Sequence, residues 1–137
     1  MVVVDTNIIA YLYLPTEYTQ YSEALLKLDA QWSAPQLWKS ELRNVLTLQV
    51  RKNILDLTMA MEIQAQAELL LADSEFEVAS EKVLILAHAS ARSAYDCEFI
   101  SLAQSFDTKL LTTDRKLINS FPEDAIHIKD FVSAAKR

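Results

Sequence analysis

MVVVDTNIIAYL, residues 1–12, contains three consecutive valines followed by an aspartate. A continuous β-branched run of this kind suits a short strand in a parallel sheet covered on both faces. The periodic stretch from Ile8 to Leu14 reads as a helix. Asp5 and Thr6 therefore fall at a strand-to-helix junction. A carboxylate there can cap the helix by accepting a backbone N–H. It can equally point into the crevice at the carboxyl ends of the strands, where open α/β sheets bind ligands. One residue leaves both readings open.

Beyond this junction the same alternation continues. Strand-like runs cover residues 2–4, 31–34, 75–79, 109–113 and 125–128. Helical periodicity covers residues 18–28, 36–52, 57–72, 81–89, 96–106 and 115–120. Short strands alternating with longer helices predict an α/β layered fold, with a short, mostly parallel central sheet. No repeat or linker interrupts the chain, so residues 1–137 are expected to form one domain. Glycine is absent, where average usage would give roughly nine or ten. Turns must be made without it, and Asp107 is expected at a left-handed position after a helix.

The missing glycines exclude the GxGxxG, GxxxxGK and GxSxG motifs as written. His88 and His127 form no HExxH pair, and one cysteine cannot build a structural zinc cluster. Packed or surface roles are expected for both histidines. Cys97 has no internal disulfide partner, there is no signal-peptide pattern, and no apolar run is long enough to span a bilayer, so a cytoplasmic protein is expected. Any catalysis must come from carboxylates, hydroxyls, amides or a bound metal. The net charge is −6, and residues 53–81 hold seven acids without a Lys or Arg. That segment is expected to be a solvated face, while Lys39, Arg43, Arg92, Arg115 and Lys116 are expected to rim an acidic centre.

Four carboxylates stand out. Asp5, Asp96 and Asp114 each precede a helical run and could serve as N-caps. Glu41 cannot, because it lies mid-helix among Leu37, Val45 and Leu48 at helical spacing, which places it in the inward stripe. A carboxylate buried there needs a cation or proton partner. Asp96 shares a face with Phe99, Ile100 and Ala103, whereas Glu98 is turned away toward solvent. If the four converge, each pair about 4 Å apart costs on the order of 4 kcal/mol at an effective dielectric near 20. Hard oxygen ligands with open positions suit Mg²⁺ or Mn²⁺, and such a centre can activate water for displacement at a phosphodiester.

VVVDTNIIAYL, SELRNVL, SAYDCEFISLA and LLTTDRKL together resemble the acidic motifs of PIN-domain ribonucleases, above all the small toxins of VapBC-type toxin–antitoxin pairs. The order and spacing of all four acids match over nearly the whole chain. The resemblance implies a three-layer α/β/α sandwich and a Mg²⁺- or Mn²⁺-dependent endoribonuclease, with Asp5, Glu41, Asp96 and Asp114 as the metal-binding acids. It gives Asn7 a place in the acidic pocket and Thr112 a hydroxyl directed to the site, with Arg115 beside it at the substrate. Bland roles for these are an Asx-turn at Asn7 and a solvent-facing strand position at Thr112. The resemblance further implies an RNA substrate, a homodimer and a cognate antitoxin. Apolar residues between 11 and 28 offer a surface for a second copy or an antitoxin.

Two other classes compete. One is a catalytically inactive PIN-like interaction module, which the loss of any acid would favour. The other is a phosphoacceptor domain, which needs an acid pair on the first strand and leaves Glu41 without a task. Trp38 and Tyr95 flank the acidic motifs; core packing is the assignment for both, with base stacking the alternative.

Overall fold

The computed structural model describes residues 1–136; Arg137 lies outside them. Five parallel strands form the central sheet: β1 (Val2–Val4), β2 (Trp32–Pro35), β3 (Glu75–Phe76), β4 (Leu110–Thr112) and β5 (Ala125–His127), in the order β3-β2-β1-β4-β5. β1 is the middle strand, with β2 on one side and β4 on the other, and Val3 and Val4 are completely buried. Double-sided burial is the physical reason for its unbroken apolar run.

The intervening helices are α1 (Thr6–Tyr13), α2 (Thr19–Leu28), α3 (Leu37–Arg51), α4 (Leu57–Leu70), α5 (Ser80–Ser90), α6 (Ala94–Ser105), α7 (Arg115–Ser120) and α8 (Ile128–Ala135). α1 packs on α2 and α3, α3 on α4, and α2 on α8, while α6 covers β1, β2 and β4 with α5 against it. The result is the α/β/α sandwich the sequence predicts. Its core joins Ile8 and Ile9 of α1, Trp38, Leu42 and Leu46 of α3, and Phe99 to Ala103 of α6 around the sheet. The buried indoles are satisfied at their N–H groups: Trp32 donates to the Asp29 carbonyl at 2.9 Å and Trp38 to Glu75 at 2.8 Å.

Element ends depart from the sequence reading in specific ways. α1 starts at Thr6 because Asp5 already caps it, and β3 stops at Phe76 because α5 begins four residues later. α8 was not anticipated: β5 passes directly into it, with the His127 ring nitrogen Nδ1 accepting from the Lys129 N–H at 3.1 Å as its cap. Left-handed backbone occurs at Asn53, Asp73, Ala91 and Asp107. Asp107 takes its expected place, and the turn is closed by the Thr108 N–H donating to the Ala103 carbonyl at 3.0 Å. Residues 53–81 are not simply a solvated acidic face. Glu75 pairs with Lys39 at 3.2 Å, and Ile54, Leu57, Met59, Met61 and Leu69 are exposed among the acids.

Candidate active site at the strand ends

Strand order reverses between β1 and β4, since β1 leads on to β2 on one side and β4 arrives on the other. Crevices of this kind lie beyond the carboxyl ends of the strands. A cleft of about 400 Å³ opens there, and Asp5, Glu41, Asp96 and Asp114 all line it.

Asp5 is delivered by β1. Its N–H donates to the Leu111 carbonyl of β4 at 3.0 Å, so the ladder continues one residue past the strand. One carboxylate oxygen caps α1 through the Asn7 N–H at 3.4 Å, and the other accepts from the Thr112 hydroxyl at 2.7 Å. The cap reading and the crevice reading are therefore both correct. Asp114 follows β4 and caps α7 by accepting from the N–H groups of Lys116 and Leu117 at 3.0 and 3.2 Å. Its own N–H donates to Thr112 Oγ1 at 3.0 Å. Thr112 is fully buried and ties the two aspartates together, which overturns a solvent-facing strand position for it. The neighbouring Thr113 hydroxyl is hydrogen-bonded to the Tyr11 hydroxyl at 2.9 Å, bracing the same turn against α1.

Glu41 comes from α3. The buried stripe of that helix is Trp38, Leu42 and Leu46, so Glu41 lies on its half-buried flank with Leu37 and Val45, not in its middle. That flank forms one wall of the cleft. Glu41 Oε1 accepts from the Thr6 hydroxyl at 2.7 Å. Thr6, 4% exposed, is a site residue that no local sequence signal reveals, because its partner is 35 residues away. Asp96 is not an N-cap. Ser93 caps α6, accepting from the Asp96 N–H at 3.0 Å, and Asp96 projects from the first turn. The S-x-x-D spacing of Ser93 and Asp96 was the available signal.

Burial is the largest influence on three of these acids, and it pushes the Asp5, Glu41 and Asp96 carboxyls above their ordinary values. The hydroxyl bonds from Thr112, Thr6 and Ser93 pull in the opposite direction. The neighbouring carboxylates add to the upward push, Asp96 and Asp114 acting on Asp5 and Asp5 acting on Glu41. Among the described residues none of the four acids forms a salt bridge, and no three His, Cys, Asp or Glu side chains close into a ready-made metal cage. The cleft is an open set of hard oxygen donors that no salt bridge among the described residues neutralises, with only the nearby Arg92 charge pulling the Asp96 carboxyl down. That chemistry fits a hydrated divalent ion held through few carboxylates.

Other expected residues are placed differently. Asn7 is exposed and lines the cleft. Arg115 is exposed directly after Asp114, and its charge bears on His127. Lys39 is engaged with Glu75 and Glu68, Arg43 lines a separate apolar groove with Leu46 and Val50, and among the described residues no Lys or Arg lines the cleft. Of the expected basic rim, Arg92 is near enough to Asp96 for its charge to pull that carboxyl down. Arg115 and Lys116 are exposed directly after Asp114, so the rim is partly present beside the acids but not on the cleft wall itself. Glu98 is partly buried beside Val78 and Val83, and its charge adds to the upward push on Glu41. Trp38 is in the core, but Tyr95 is 64% exposed and lines the cleft, so core packing fails for it.

Comparison with known proteins agrees with this architecture. The PIN domain profile matches residues 2–120. Ribonuclease VapC3 of Pyrobaculum aerophilum is 30% identical over 133 residues, covering 88% of this chain and 94% of that protein. Among solved structures, PAE2754 from Pyrobaculum aerophilum superposes with a TM-score of 0.78 at 20% identity, covering 98% of this chain and 96% of that one. A toxin–antitoxin complex from Klebsiella pneumoniae gives a TM-score of 0.69 at 14% identity, covering 93% and 98%.

Proposed function

This chain belongs to the PIN-domain family, and from that premise we propose that it is a Mg²⁺- or Mn²⁺-dependent endoribonuclease, the toxin of a toxin–antitoxin pair. The observation that carries this reading is the set of four acids from four separate elements, facing one cleft and forming no salt bridge among the described residues. A structural role for buried carboxylates calls for a paired cation. An unpaired cluster is suited to an ion that arrives from solvent.

Asp5, Glu41, Asp96 and Asp114 would hold that ion, which when bound supplies charge neutralisation at the phosphate and a more acidic water. The protein's part is positioning. Thr112 fixes the spacing of Asp5 and Asp114, Thr6 orients Glu41, and Ser93 sets the first turn from which Asp96 projects. Asn7 adds an uncharged amide at the cleft wall. Hydrolysis by water at the scissile phosphorus would leave a 5′-phosphate and a 3′-hydroxyl.

An antitoxin has a surface to cover. A second groove shares Asn7 and Val45 with the acidic cleft and runs between α1 and α4, lined by Tyr11, Tyr13, Leu14, Ile54 and Met59. The kinship with VapC3 and the toxin–antitoxin neighbour support a protein partner, and the groove's apolar lining is what suits it to receive one. Exposed Leu69, Leu84 and Ile85 supply apolar surface for a homodimer. No described helix is long and apolar enough to cross a membrane, in keeping with action in the cytoplasm.

Calorimetric titration of Mn²⁺ into the folded wild type and Glu41→Gln tests the centre, with RNA cleavage measured in parallel with and without chelator. Binding that is lost in the variant, together with chelator-sensitive cleavage, is expected. Absence of both in the folded wild type would leave the inactive interaction module as the better description.

A further inference from the structure

An acidic cleft whose described walls carry no Lys or Arg has few charged contacts of its own with which to hold RNA. Phosphate contacts by Lys and Arg ordinarily dominate affinity, yet among the described residues none lines this cleft, and Lys39 is committed to Glu75 and Glu68. Within the cleft itself, uncharged side chains are the groups placed to add grip on a strand.

We infer that Tyr95, with Ser40 and Asn44 facing it across the cleft, forms a nucleobase subsite beside the carboxylates, in which an unpaired base stacks on the phenol ring. The inference rests on the ribonuclease reading of the cleft.

Tyr95 is the second residue of α6, directly before Asp96 and two after the Ser93 cap, so its backbone is fixed by the same turn that presents the carboxylate. The ring is 64% exposed, and among the described residues it stacks on no other aromatic side chain. An exposed aromatic on a rigid first turn offers a stacking face at little cost in ordering. On the α3 wall, Leu37, Ser40, Glu41, Asn44 and Val45 recur at i, i+3, i+4, i+7 and i+8, one helical face turned to the cleft. Ser40 and Asn44 are exposed on it. A hydroxyl and an amide can bond the edge of a base whose face lies on Tyr95, while Leu37 and Val45 give the apolar remainder. Such a subsite accepts single strands and excludes a duplex, whose bases keep their faces stacked.

The test compares wild type, Tyr95→Phe and Tyr95→Ala, each with its melting curve recorded. Fluorescence anisotropy follows binding, in Ca²⁺, of a short single-stranded RNA of mixed sequence and of an abasic ribose-phosphate oligomer of the same length. Wild type and Tyr95→Phe are expected to prefer the base-bearing strand by roughly 5- to 100-fold, and Tyr95→Ala to lose most of that preference. An undiminished preference in Tyr95→Ala overturns the subsite, as does a wild type that binds both strands equally or neither. Cleavage of the same RNA in Mn²⁺ separates the two readings. Base preference without cleavage removes the ribonuclease and keeps the subsite, whereas cleavage with no effect of Tyr95→Ala does the reverse.

Discussion

The Thr112 hydroxyl donates to the Asp5 carboxylate at 2.7 Å across 107 residues of sequence, and the same oxygen accepts the Asp114 N–H at 3.0 Å. One methyl-bearing side chain, fully buried, thereby sets the spacing of two acids from different strands.

Thr112→Val keeps the shape of this side chain and removes both bonds. Orienting partners of metal ligands are typically worth 10- to 100-fold in affinity or activity, so Mn²⁺ binding is expected to weaken by about that factor. Thr112→Ser should recover most of it. Calorimetry on the three proteins decides the matter, and equal affinities would show that Asp5 and Asp114 hold their positions without the hydroxyl.

Burial raises the Asp5, Glu41 and Asp96 carboxyls, so the folded metal-free protein retains protons that the unfolded chain has released. The associated stability is fully present below the ordinary carboxylate value, about 4, and is lost as pH rises through the raised values. Glu41→Gln keeps an acceptor for Thr6 and removes one charge. In chelator at neutral pH it should melt a few degrees above wild type, and the gain should vanish toward about pH 4. Identical melting curves at neutral pH would mean the cluster is already neutralised.

Ala91 ends α5 at φ 59, in the left-handed region where a Cβ is crowded. Relief of that crowding outweighs the extra freedom glycine gives the unfolded chain. Ala91→Gly is expected to stabilise the fold by about 1 kcal/mol, read as a higher denaturant midpoint at unchanged slope. A lower midpoint would show that the turn before Ser93 tolerates alanine without strain.

His127 caps α8 through an unprotonated Nδ1. Burial, and then the nearby Arg115 charge, hold its pKa below the ordinary value. Its contribution is present above about pH 6.5 and is lost as pH falls through the lowered value. His127→Asn retains a capping acceptor with nothing to protonate. The wild type should therefore lose stability relative to this variant on acidification, by up to the ~1 kcal/mol that a cap is worth. Parallel pH dependences would show that protonation leaves the cap intact.

Legibility varied with how local the causes were. Val2 to Val4 and Asp5 were readable because burial on both faces writes a continuous apolar run into adjacent residues. Asp5, Asp96 and Asp114 were readable through their helix-start positions, and all four acids as a set through their order. Glu41 was found for a reason that needed amending. α3 packs on β2, α1 and α4, so its apolar surface is broader than one stripe, and the periodicity at Leu37 and Val45 belonged to a cleft wall. Tyr95 was misassigned because nothing near it in sequence says whether the first turn of α6 faces core or crevice. Thr6 and the bracing of Thr113 by Tyr11 depend on pairs 35 and 102 residues apart, which local spacing does not encode. Lys39 was placed near the acids by sequence proximity alone, and Glu75 and Glu68 draw it elsewhere.

The middle position of β1, with β4 added beside it only after most of the chain, also governs when the cleft can exist. During synthesis the N-terminal strand emerges first, and Asp5 must wait for residues 110–114 before Thr112 can hold it or Asp114 can join it. A chain still attached to its ribosome with those residues inside the exit tunnel carries Asp5, Glu41 and Asp96 without their assembled centre. Under the proposed ribonuclease function, the nascent chain therefore cannot assemble its four acids until translation is nearly complete.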